Sequence, residues 1–325
     1  MSKKPSVYSS QTQIHKEMKS AKAPGTIEYI GEAAHRMLLS QLSGIILAVV
    51  SQAAYLLDEK GELFWLGTVN VPMHRRGLRL STPLPQLSAG TPWAVEDHHL
   101  IIDSRTVLDF RKAFIWEEPH LYPDSILPVT IVRQRLQMVL SILGKLPVPA
   151  GFCGLIPEIL RMIEKQGAPH SLDNLPGIQA KAWPAIRNIS KACLAHNFPK
   201  IMEEFRDLIG LGEGLTPSGD DFIGGLLFCR KILRDSYPDI LNLEFPSLPD
   251  FIESIRPFTN TISFAFLKDH AEGHGFEPIH LFANAFLTGQ PDDLLHQILM
   301  DLTHIGHSTG WDLLTGFLVE ILLAS

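Results

Sequence analysis

The sequence has few cysteines, few charged residues and no long apolar run. Its 325 residues include three cysteines, Cys153, Cys193 and Cys229, none of them in a CxxC pair. An odd number of scattered cysteines argues against a disulfide framework or a cysteine zinc site, and it favours buried thiols in a reducing compartment. We therefore expect a cytoplasmic protein.

Charge and hydropathy argue against two large classes of partner. Charged residues make up 19% of the chain and the formal net charge is −7, which gives no reason to expect nucleic acid or an anionic membrane as the main partner, although a local basic patch could exist. The apolar run GIILAVV ends at Ser51 and Gln52, far short of the roughly 20 residues of a spanning helix. The first 25 residues lack the apolar core of a signal peptide. We expect neither a nucleic-acid partner nor a membrane partner.

The pattern of polar, apolar and turn-forming residues divides the chain into three parts. Residues 1–25 are polar and aperiodic, which predicts a flexible arm. Residues 26–125 hold short apolar stretches between Gly, Pro and polar turns, which predicts a β-rich barrel or sandwich. Within it, GIILAVVSQAAYLL, the turn DEKG and ELFWLGTVNV predict one hairpin. Residues 126–325 predict a mainly helical domain, so the expected fold class is α+β.

Helical periodicity begins at VTIVRQRLQMVLSILGKL, directly after Pro128, and recurs along the rest of the chain. The later predicted helices are 156–165, 184–195, 201–209, 221–234, 257–268, 278–288, 291–304 and 312–324. The last of these is apolar almost all round. We therefore expect it at the centre of the helical domain.

The most unusual segment is GLGEGLTPSGDDFIGG at 210–225, which combines six glycines with two adjacent carboxylates. It is not a Walker loop, because Leu215 follows Gly214 where a lysine is required, and its glycine spacing does not fit a dinucleotide fingerprint. The preceding EEFRDLI predicts a helix that Gly210 ends, so the loop should join helix to helix. ATP or NAD binding through these motifs is therefore not expected.

A helix start is predicted at TPSGDD. Either Thr216 caps a helix with Pro217 in its first position, or Ser218 caps it with Asp221 three residues on. The glycine backbone and the free N–H groups would form a partially positive nest for a phosphate or carboxylate. A plainly capped helix with a flexible entry loop is the alternative. Asp221 is predicted to face inward, because Gly225 four residues later clears space on that face.

The same pattern returns near the end of the chain. TGWDLLTGFL at 309–318 matches SGDDFIGGLL at 218–227 as hydroxyl, Gly, any residue, Asp, two apolar residues, any residue, Gly and two apolar residues. The match makes Thr309 a cap, and it makes Asp312 and Gly316 the counterparts of Asp221 and Gly225. Two glycine-led helix N-termini are thus predicted to face one another across one pocket.

Between the two motifs lies TNTISFAFLKDHAEGHGFEPIHLF, residues 259–282. Its opening polar residues, among them Thr259 and Asn260, either cap a helix or form a third wall of the pocket. His270 and His274 are four residues apart, but the Glu is misplaced for HExxH and Gly273 indicates that the helix ends there. A zinc site is therefore not expected.

Three segments together carry a resemblance to a known family: GLGEGLTPSGDDFIGGLL, TNTISFAFLKDHAEGHGFE and GHSTGWDLLTGFL. They resemble the bacterial family of domains of unknown function numbered 2877, the AllH-like family of oxamate carbamoyltransferase subunits. The resemblance covers about residues 28–325 and includes the β-rich half with its NVPMHRRGLRL segment. This chain has Thr309 where a second Ser is common, a change that keeps the hydroxyl.

The resemblance implies a transferase subunit of anaerobic allantoin breakdown, a route of purine catabolism. Such a subunit would act beside two others in the reversible phosphorolysis of oxalurate to oxamate and carbamoyl phosphate. These substrates are small anions that carry amides, so a glycine nest with hydroxyls suits them, and an Asp can accept from the amide N–H.

The candidate site residues follow from the motifs and from this resemblance. Asp221 and Asp312 are the predicted catalytic pair, as contacts to a substrate amide or to a metal. The predicted substrate-binding residues are Gly212, Gly214, Thr216, Ser218, Gly219, Asp220, Asn260, Ser308, Thr309 and Gly310. No cofactor is firmly implied and no metal ligands are assigned, although Mg²⁺ bridging to a phosphate suits paired carboxylates.

Two other functions remain open at this point. The chain could be a non-catalytic scaffold subunit whose glycine loops only shape helix contacts in a multi-subunit assembly. It could also be a carboxylase-type enzyme acting on a small acid, a description applied to some proteins that resemble it.

Overall fold

The computed structural model of the protein describes residues 25–40, 42–121, 125–146, 151–163, 175, 177–238 and 247–323. The chain divides into two compact units, Met1–Glu118 and Pro119–Ser325. The first is built mainly of strands and the second of helices, so the α+β fold class is confirmed. The arm predicted at 1–25 lies outside the described residues, apart from Gly25.

The first unit is a closed β-barrel. Its elements are β1 Gly25–Gly31, α1 Glu32–Leu38, β2 Ser43–Val49, β3 Ala53–Asp58, β4 Leu63–Gly67, β5 Gly77–Leu80, β6 Pro92–Glu96, β7 His99–Ile102, β8 Thr106–Asp109 and β9 Phe114–Trp116. Eight strands follow the order β5-β4-β3-β2-β6-β7-β8-β1, and antiparallel pairing of β1 with β5 closes the barrel. Strand β9 lies parallel to β1, past the end of the β1–β8 pairing.

The predicted hairpin exists, but its first half is two strands and not one. A turn after β2 separates it from β3, where the N–H of Val50 donates to the carbonyl of Ala53 at 2.8 Å. The DEKG turn between β3 and β4 is as predicted. The Asp58 carboxylate accepts from the N–H groups of Lys60 and Glu62, each at 2.8 Å, which fixes the turn.

Short strands suffice for the barrel because their inward side chains fill its interior. Ile27, Leu56, Phe64 and Leu100 are fully buried there. Phe64 meets Trp93 edge to face, with 5.1 Å between the ring centroids. This core belongs to the first unit alone.

The second unit is a helical domain. Its elements are α2 Val129–Leu143, a 3₁₀ turn Phe152–Leu155, α3 Ile156–Ile163, α4 Gly177–Leu194, α5 Phe198–Arg206, α6 Ser218–Ser236, α7 Leu248–Ile255, a 3₁₀ turn Arg256–Phe258, α8 Thr261–Glu272, α9 Glu277–Thr288, α10 Asp292–Thr303 and α11 Thr309–Leu323. Among the described residues, no helix has the length and apolar character needed to cross a membrane.

Two helix starts that were predicted at prolines, Pro184 and Pro257, are wrong. Pro184 lies inside α4, which begins at Gly177, because the buried Trp183 and Ala185 on either side hold the segment in the core. Pro257 lies in a 3₁₀ turn, and α8 starts only at Thr261, with Asn260 as its cap. Tertiary packing and a side-chain cap thus outweighed the preference of proline for a first helical turn.

Helix α11 is the centre of the helical unit, as predicted from its apolar sequence. Every residue from Gly310 to Ile321 is buried. Its main neighbour is α6, which is also buried over most of its length. These two helices carry the two repeated motifs.

Candidate functional site

Two glycine-containing loops lead into the two central helices. Residues 207–217 join α5 to α6, which confirms the predicted helix-to-helix connection, and residues 304–308 join α10 to α11. Gly212 has φ 133°, and a Cβ there would lie 2.6 Å from the backbone nitrogen of Ser218. Only glycine lets the loop lie this close to the start of α6.

Backbone carbonyls, and not hydroxyls, satisfy the first N–H groups of the two helices. The N–H of Gly219 donates to the carbonyl of Leu211 at 2.8 Å, and the N–H of Gly310 donates to the carbonyl of Ile305 at 3.0 Å. The N-cap residue of α6 is Pro217, with no side-chain cap. The prediction that Thr216 or Ser218 caps α6 is therefore wrong.

The hydroxyls face the two carboxyl groups instead. Those of Thr309 and Thr216 lie beside Asp221, and those of Ser218 and Ser308 lie beside Asp312. The first residue of each helix thus serves the carboxyl group of the other helix. This exchange explains the failed capping prediction, because a buried carboxylate needs donors more than an N–H that already has a carbonyl.

Glycines at matching positions let the two helices touch. A methyl group on Gly225 would overlap the carbonyl oxygen of Leu313, and one on Gly316 would overlap that of Phe222. Phe222 and Leu313 are themselves 91 residues apart, as are the two glycines. The predicted repeat is therefore a structural one. The space that Gly225 clears, as the sequence predicted, is occupied by the backbone of α11.

The two helix starts meet at their hydroxyls. Thr216 Oγ1 and Thr309 Oγ1 lie 2.9 Å apart, and both residues are half-buried. Gly214 is exposed beside them, with no atom within 4 Å of the place a Cβ would take. The facing of the two motifs, predicted from their shared pattern, is confirmed by this contact.

Below the hydroxyls, Asp221 and Asp312 are 4% and 0% exposed. Burial raises the pKa of Asp312 to about 6. Burial, and then the charge of Asp312, raise the pKa of Asp221 well above its ordinary value, although the Thr309 and Thr216 hydroxyls oppose this shift. No Lys, Arg or His contributes to either pKa shift within the described residues.

Asp312 is held by a segment that the sequence did not reveal as part of the site. Its Oδ1 accepts from the N–H of Phe152 at 2.6 Å. Gly151 has φ 125°, and a Cβ there would lie 2.6 Å from the same oxygen. The Gln179 amide in turn donates to the Gly151 carbonyl at 2.8 Å. The glycine at the start of GFCGL was the only signal of this role.

Two of the predicted substrate-binding residues, Asp220 and Asn260, form hydrogen bonds with the backbone of the loop before α6. Asp220 accepts from the N–H of Gly210 at 2.7 Å and from the hydroxyls of Ser263 and Thr259. Asn260 caps α8, accepting from two N–H groups, and its amide donates to the Leu215 carbonyl at 2.9 Å. Asn260 thus has the capping role that was considered for the opening of this helix.

The histidine pair lies at the C-terminal end of α8 and just after it. Helix α8 ends at Glu272 and Gly273 follows with φ 88°, as the sequence predicted. The His270 ring packs beside Gly224 and Phe228. Within the described residues, no group of three or more His, Cys, Asp and Glu side chains has a metal-binding arrangement.

A buried ion pair links the same two helices further along. Arg230 on α6 and Glu320 on α11 are 5% and 0% exposed, with 2.8 Å between Arg230 Nη2 and Glu320 Oε1. The sequence gave no hint of this pair, because the two residues lie 90 positions apart on different helices.

The fold and site define a two-unit α+β protein whose helical unit carries a pair of matched helix starts over two buried carboxyl groups. A family model described as oxamate carbamoyltransferase subunit AllH matches residues 208–321, which include α6, α8 and nearly all of both loops and of α11. The resemblance to the AllH family is thereby confirmed over these residues. No curated protein and no solved structure matches the chain.

Proposed function

We propose that this chain is a subunit of an oxamate carbamoyltransferase and that it binds a small anionic substrate beside its two facing helix starts. The observation that carries the proposal is the 2.9 Å contact between Thr216 and Thr309. Both residues lie inside the segment that matches the AllH model. The contact therefore lies within the segment that carries the similarity.

The loop before α6 offers the donors that an anion needs. The N–H groups of residues 212–216 donate no hydrogen bond within the described part of the chain. Consecutive free N–H groups in a glycine-rich turn favour phosphate and carboxylate groups. Carbamoyl phosphate, oxalurate and oxamate each carry one of these groups, so the loop suits all three.

The reaction makes modest demands on the protein. In the phosphorolysis of oxalurate, an oxygen of hydrogen phosphate bonds to the carbamoyl carbon and the bond from that carbon to the oxamate nitrogen breaks. The proton of hydrogen phosphate ends on that nitrogen. Because phosphate is itself the nucleophile, the protein supplies orientation and charge stabilisation.

The chain's own residues divide this work in the proposal. The N–H groups of Gly212 and Gly214 hold the phosphate or carboxylate of the substrate. The half-buried hydroxyls of Thr216 and Thr309 contact the substrate amide. Asp221 lies beside these hydroxyls and orients them, so its role is that of a positioning residue.

The proposal includes other subunits, because the matched description is that of a subunit. It also places the protein in the cytoplasm, where three buried thiols that form no disulfide are stable. The chain would then bind the substrate, and its partner subunits would contribute the other residues of the active site.

An assay of carbamoyl phosphate formation from oxalurate and phosphate tests this function. It compares the chain alone, the partner subunits alone and the full mixture, and calorimetry of the chain with carbamoyl phosphate, oxamate and phosphate accompanies it. We expect activity in the mixture and heat with at least one ligand. Equal activity of the partners without this chain, with no heat from any ligand, would contradict the proposal.

One observation favours the scaffold alternative. The glycines at 219, 225, 310 and 316 all make room for backbone of neighbouring segments, and not for a ligand. If the loops only shape helix packing, the mixture will be active and the isolated chain will bind none of the three ligands. The calorimetric measurement therefore separates the two functions.

A further inference from the structure

Asp221 and Asp312 each keep one buried oxygen without a hydrogen-bond partner in the described residues. The atoms are Asp221 Oδ2 and Asp312 Oδ2. The other oxygen of Asp312 is bound by the Phe152 N–H. Two buried carboxyl groups that repel each other, each with an unpartnered oxygen, are costly unless something between them supplies positive charge.

Among the described residues, the side chains that shift the pKa values of the two carboxyl groups all present oxygen atoms to them. Four hydroxyls lie beside the two carboxyl groups, those of Thr216, Ser218, Ser308 and Thr309. The groups that shift the two pKa values include no Lys, Arg or His in the described chain. An all-oxygen donor set of this kind suits a hard cation such as Mg²⁺ or Ca²⁺, and not the nitrogen and sulfur preference of Zn²⁺.

Contacts from several segments fix the position of Asp312. The N–H of Phe152 can reach Asp312 only because Gly151 has no Cβ, and the Gln179 amide fixes the carbonyl of that glycine. On the other side, the contact of Gly225 with Leu313 and of Gly316 with Phe222 fixes the two helices that carry the carboxyl groups. The unpartnered oxygens are thus held by rigid elements, as a preorganised cation site requires.

We propose that Asp221 and Asp312 together bind one hard divalent cation, Mg²⁺ in the cell, with neighbouring hydroxyls among its ligands. Magnesium in proteins is commonly held by one or two carboxylates and completes its coordination with water or a substrate phosphate. The site is defined by this chain's residues and does not depend on the carbamoyltransferase function. Where that function holds, the phosphate of carbamoyl phosphate is the natural further ligand.

Thermal unfolding of the full chain tests the site without any activity measurement. Protein stripped with EDTA is compared at pH 7 with and without Mg²⁺, and with Ca²⁺ and K⁺ in separate samples. At a Mg²⁺ concentration about a hundredfold above its Kd, the midpoint of the helical unit should rise by about 5–10 °C. An unchanged midpoint with Mg²⁺, or a rise with K⁺ alone, would overturn the proposal.

Two isosteric variants and one control locate the effect. Asp221→Asn and Asp312→Asn should each abolish the Mg²⁺ shift, and both should fold, because each removes a buried charge. Glu213→Gln, an exposed carboxylate on the adjacent loop, should keep the full shift. A shift that persists in both Asn variants would place the cation elsewhere. Isothermal titration with Mg²⁺ on the same proteins gives a second readout.

A shared proton is the competing explanation of the pair, and the same samples distinguish it. If one proton takes the place of the cation, Mg²⁺ will leave the midpoint unchanged and Asp312→Asn will be at least as stable as wild type at pH 7. The calorimetric test with carbamoyl phosphate, oxamate and phosphate is independent of this outcome, so a failed cation site leaves the proposed function standing.

Discussion

The hydroxyls of Thr216 and Thr309 lie 2.9 Å apart although 93 positions separate them in the chain. Thr309 opens one copy of a short motif and Thr216 lies two residues before the other copy. Both hydroxyls lie beside the Asp221 carboxyl group. The contact therefore makes two distant segments into a single structural unit. Its consequences for stability and binding can be measured.

Two substitutions of Thr309 distinguish the contribution of its hydroxyl to stability from that of its methyl group. Thr309→Val keeps the shape but removes a donor to Asp221 and the partner of Thr216, so it should destabilise the protein by about 1–2 kcal/mol. Thr309→Ser keeps the hydroxyl and should stay within about 0.5 kcal/mol of wild type. Urea unfolding of the three proteins measures this, and equal losses in both variants would show that the methyl group matters and the hydroxyl does not.

The close contact between α6 and α11 should tolerate no side chain at Gly225 or Gly316. In Gly225→Ala or Gly316→Ala the new methyl group meets a backbone carbonyl that cannot rotate away, so a loss of about 3 kcal/mol is expected. Gly177→Ala is the matched control, because a Cβ there has no neighbour within 4 Å. It should be neutral or stabilising by about 0.4–1 kcal/mol in thermal or urea unfolding. A mild effect at both crossing positions would contradict the close contact.

The facing of the two helix starts was predictable because the signal is local and occurs twice. SGDDFIGGLL and TGWDLLTGFL each contain the hydroxyl, the carboxylate and the crossing glycine at fixed spacing. The β-rich character of the first unit was predictable for a similar reason, since short apolar runs with turn signals repeat through it, although barrel and sandwich both remained open. Periodicity and turn chemistry act within a few residues, so the sequence carries them directly.

What the hydroxyls do was not predictable from the same motifs. Ser218 and Thr216 have the residue types of helix caps, but their partners are carboxyl groups brought near by tertiary packing. The hold of Gly151 and Phe152 on Asp312 spans 160 residues and left no pattern beyond one glycine. Contacts between distant segments depend on packing, which a single sequence does not specify.

Stability in the absence of divalent cations should fall as pH rises through the acid range. The folded pKa of Asp312 is about 6, above its ordinary value of 3.8, so the folded state holds this proton more tightly than the unfolded state. The stability it contributes is fully present below about pH 4 and is lost by about pH 6, a change of up to about 3 kcal/mol. Urea unfolding in EDTA between pH 4 and 7 measures the slope.

Asp312→Asn isolates this contribution from those of other buried acids. The variant cannot titrate at position 312, so its stability should vary less with pH than that of the wild type over the same range. Parallel curves for the two proteins would show that Asp312 does not titrate with a raised pKa.

Removing one member of the buried pair Arg230 and Glu320 should lower the free energy of unfolding strongly, whereas replacing both with apolar residues should lower it little. Glu320→Gln leaves the Arg230 charge buried with a weaker partner, and a loss of about 3–5 kcal/mol is expected. The double variant Arg230→Met with Glu320→Leu should recover most of that loss, because it removes both charges and keeps apolar volume. Urea unfolding of the single and double variants checks this, and additive losses would argue against coupling.

Anion binding should depend on the backbone of the loop before α6. Gly214 has φ 93° and open space around it, so Gly214→Ala adds backbone strain of about 1–2 kcal/mol and reorients the N–H groups of the loop. Gly90 in the barrel unit has φ 82° and the same open surroundings, which makes Gly90→Ala a control of equal strain. If residues 212–216 hold the substrate anion, Gly214→Ala should weaken binding of carbamoyl phosphate at least about tenfold in calorimetry, the equivalent of one charge-assisted hydrogen bond. Gly90→Ala should bind as wild type does, and equal affinities of all three proteins would remove the loop from the binding site.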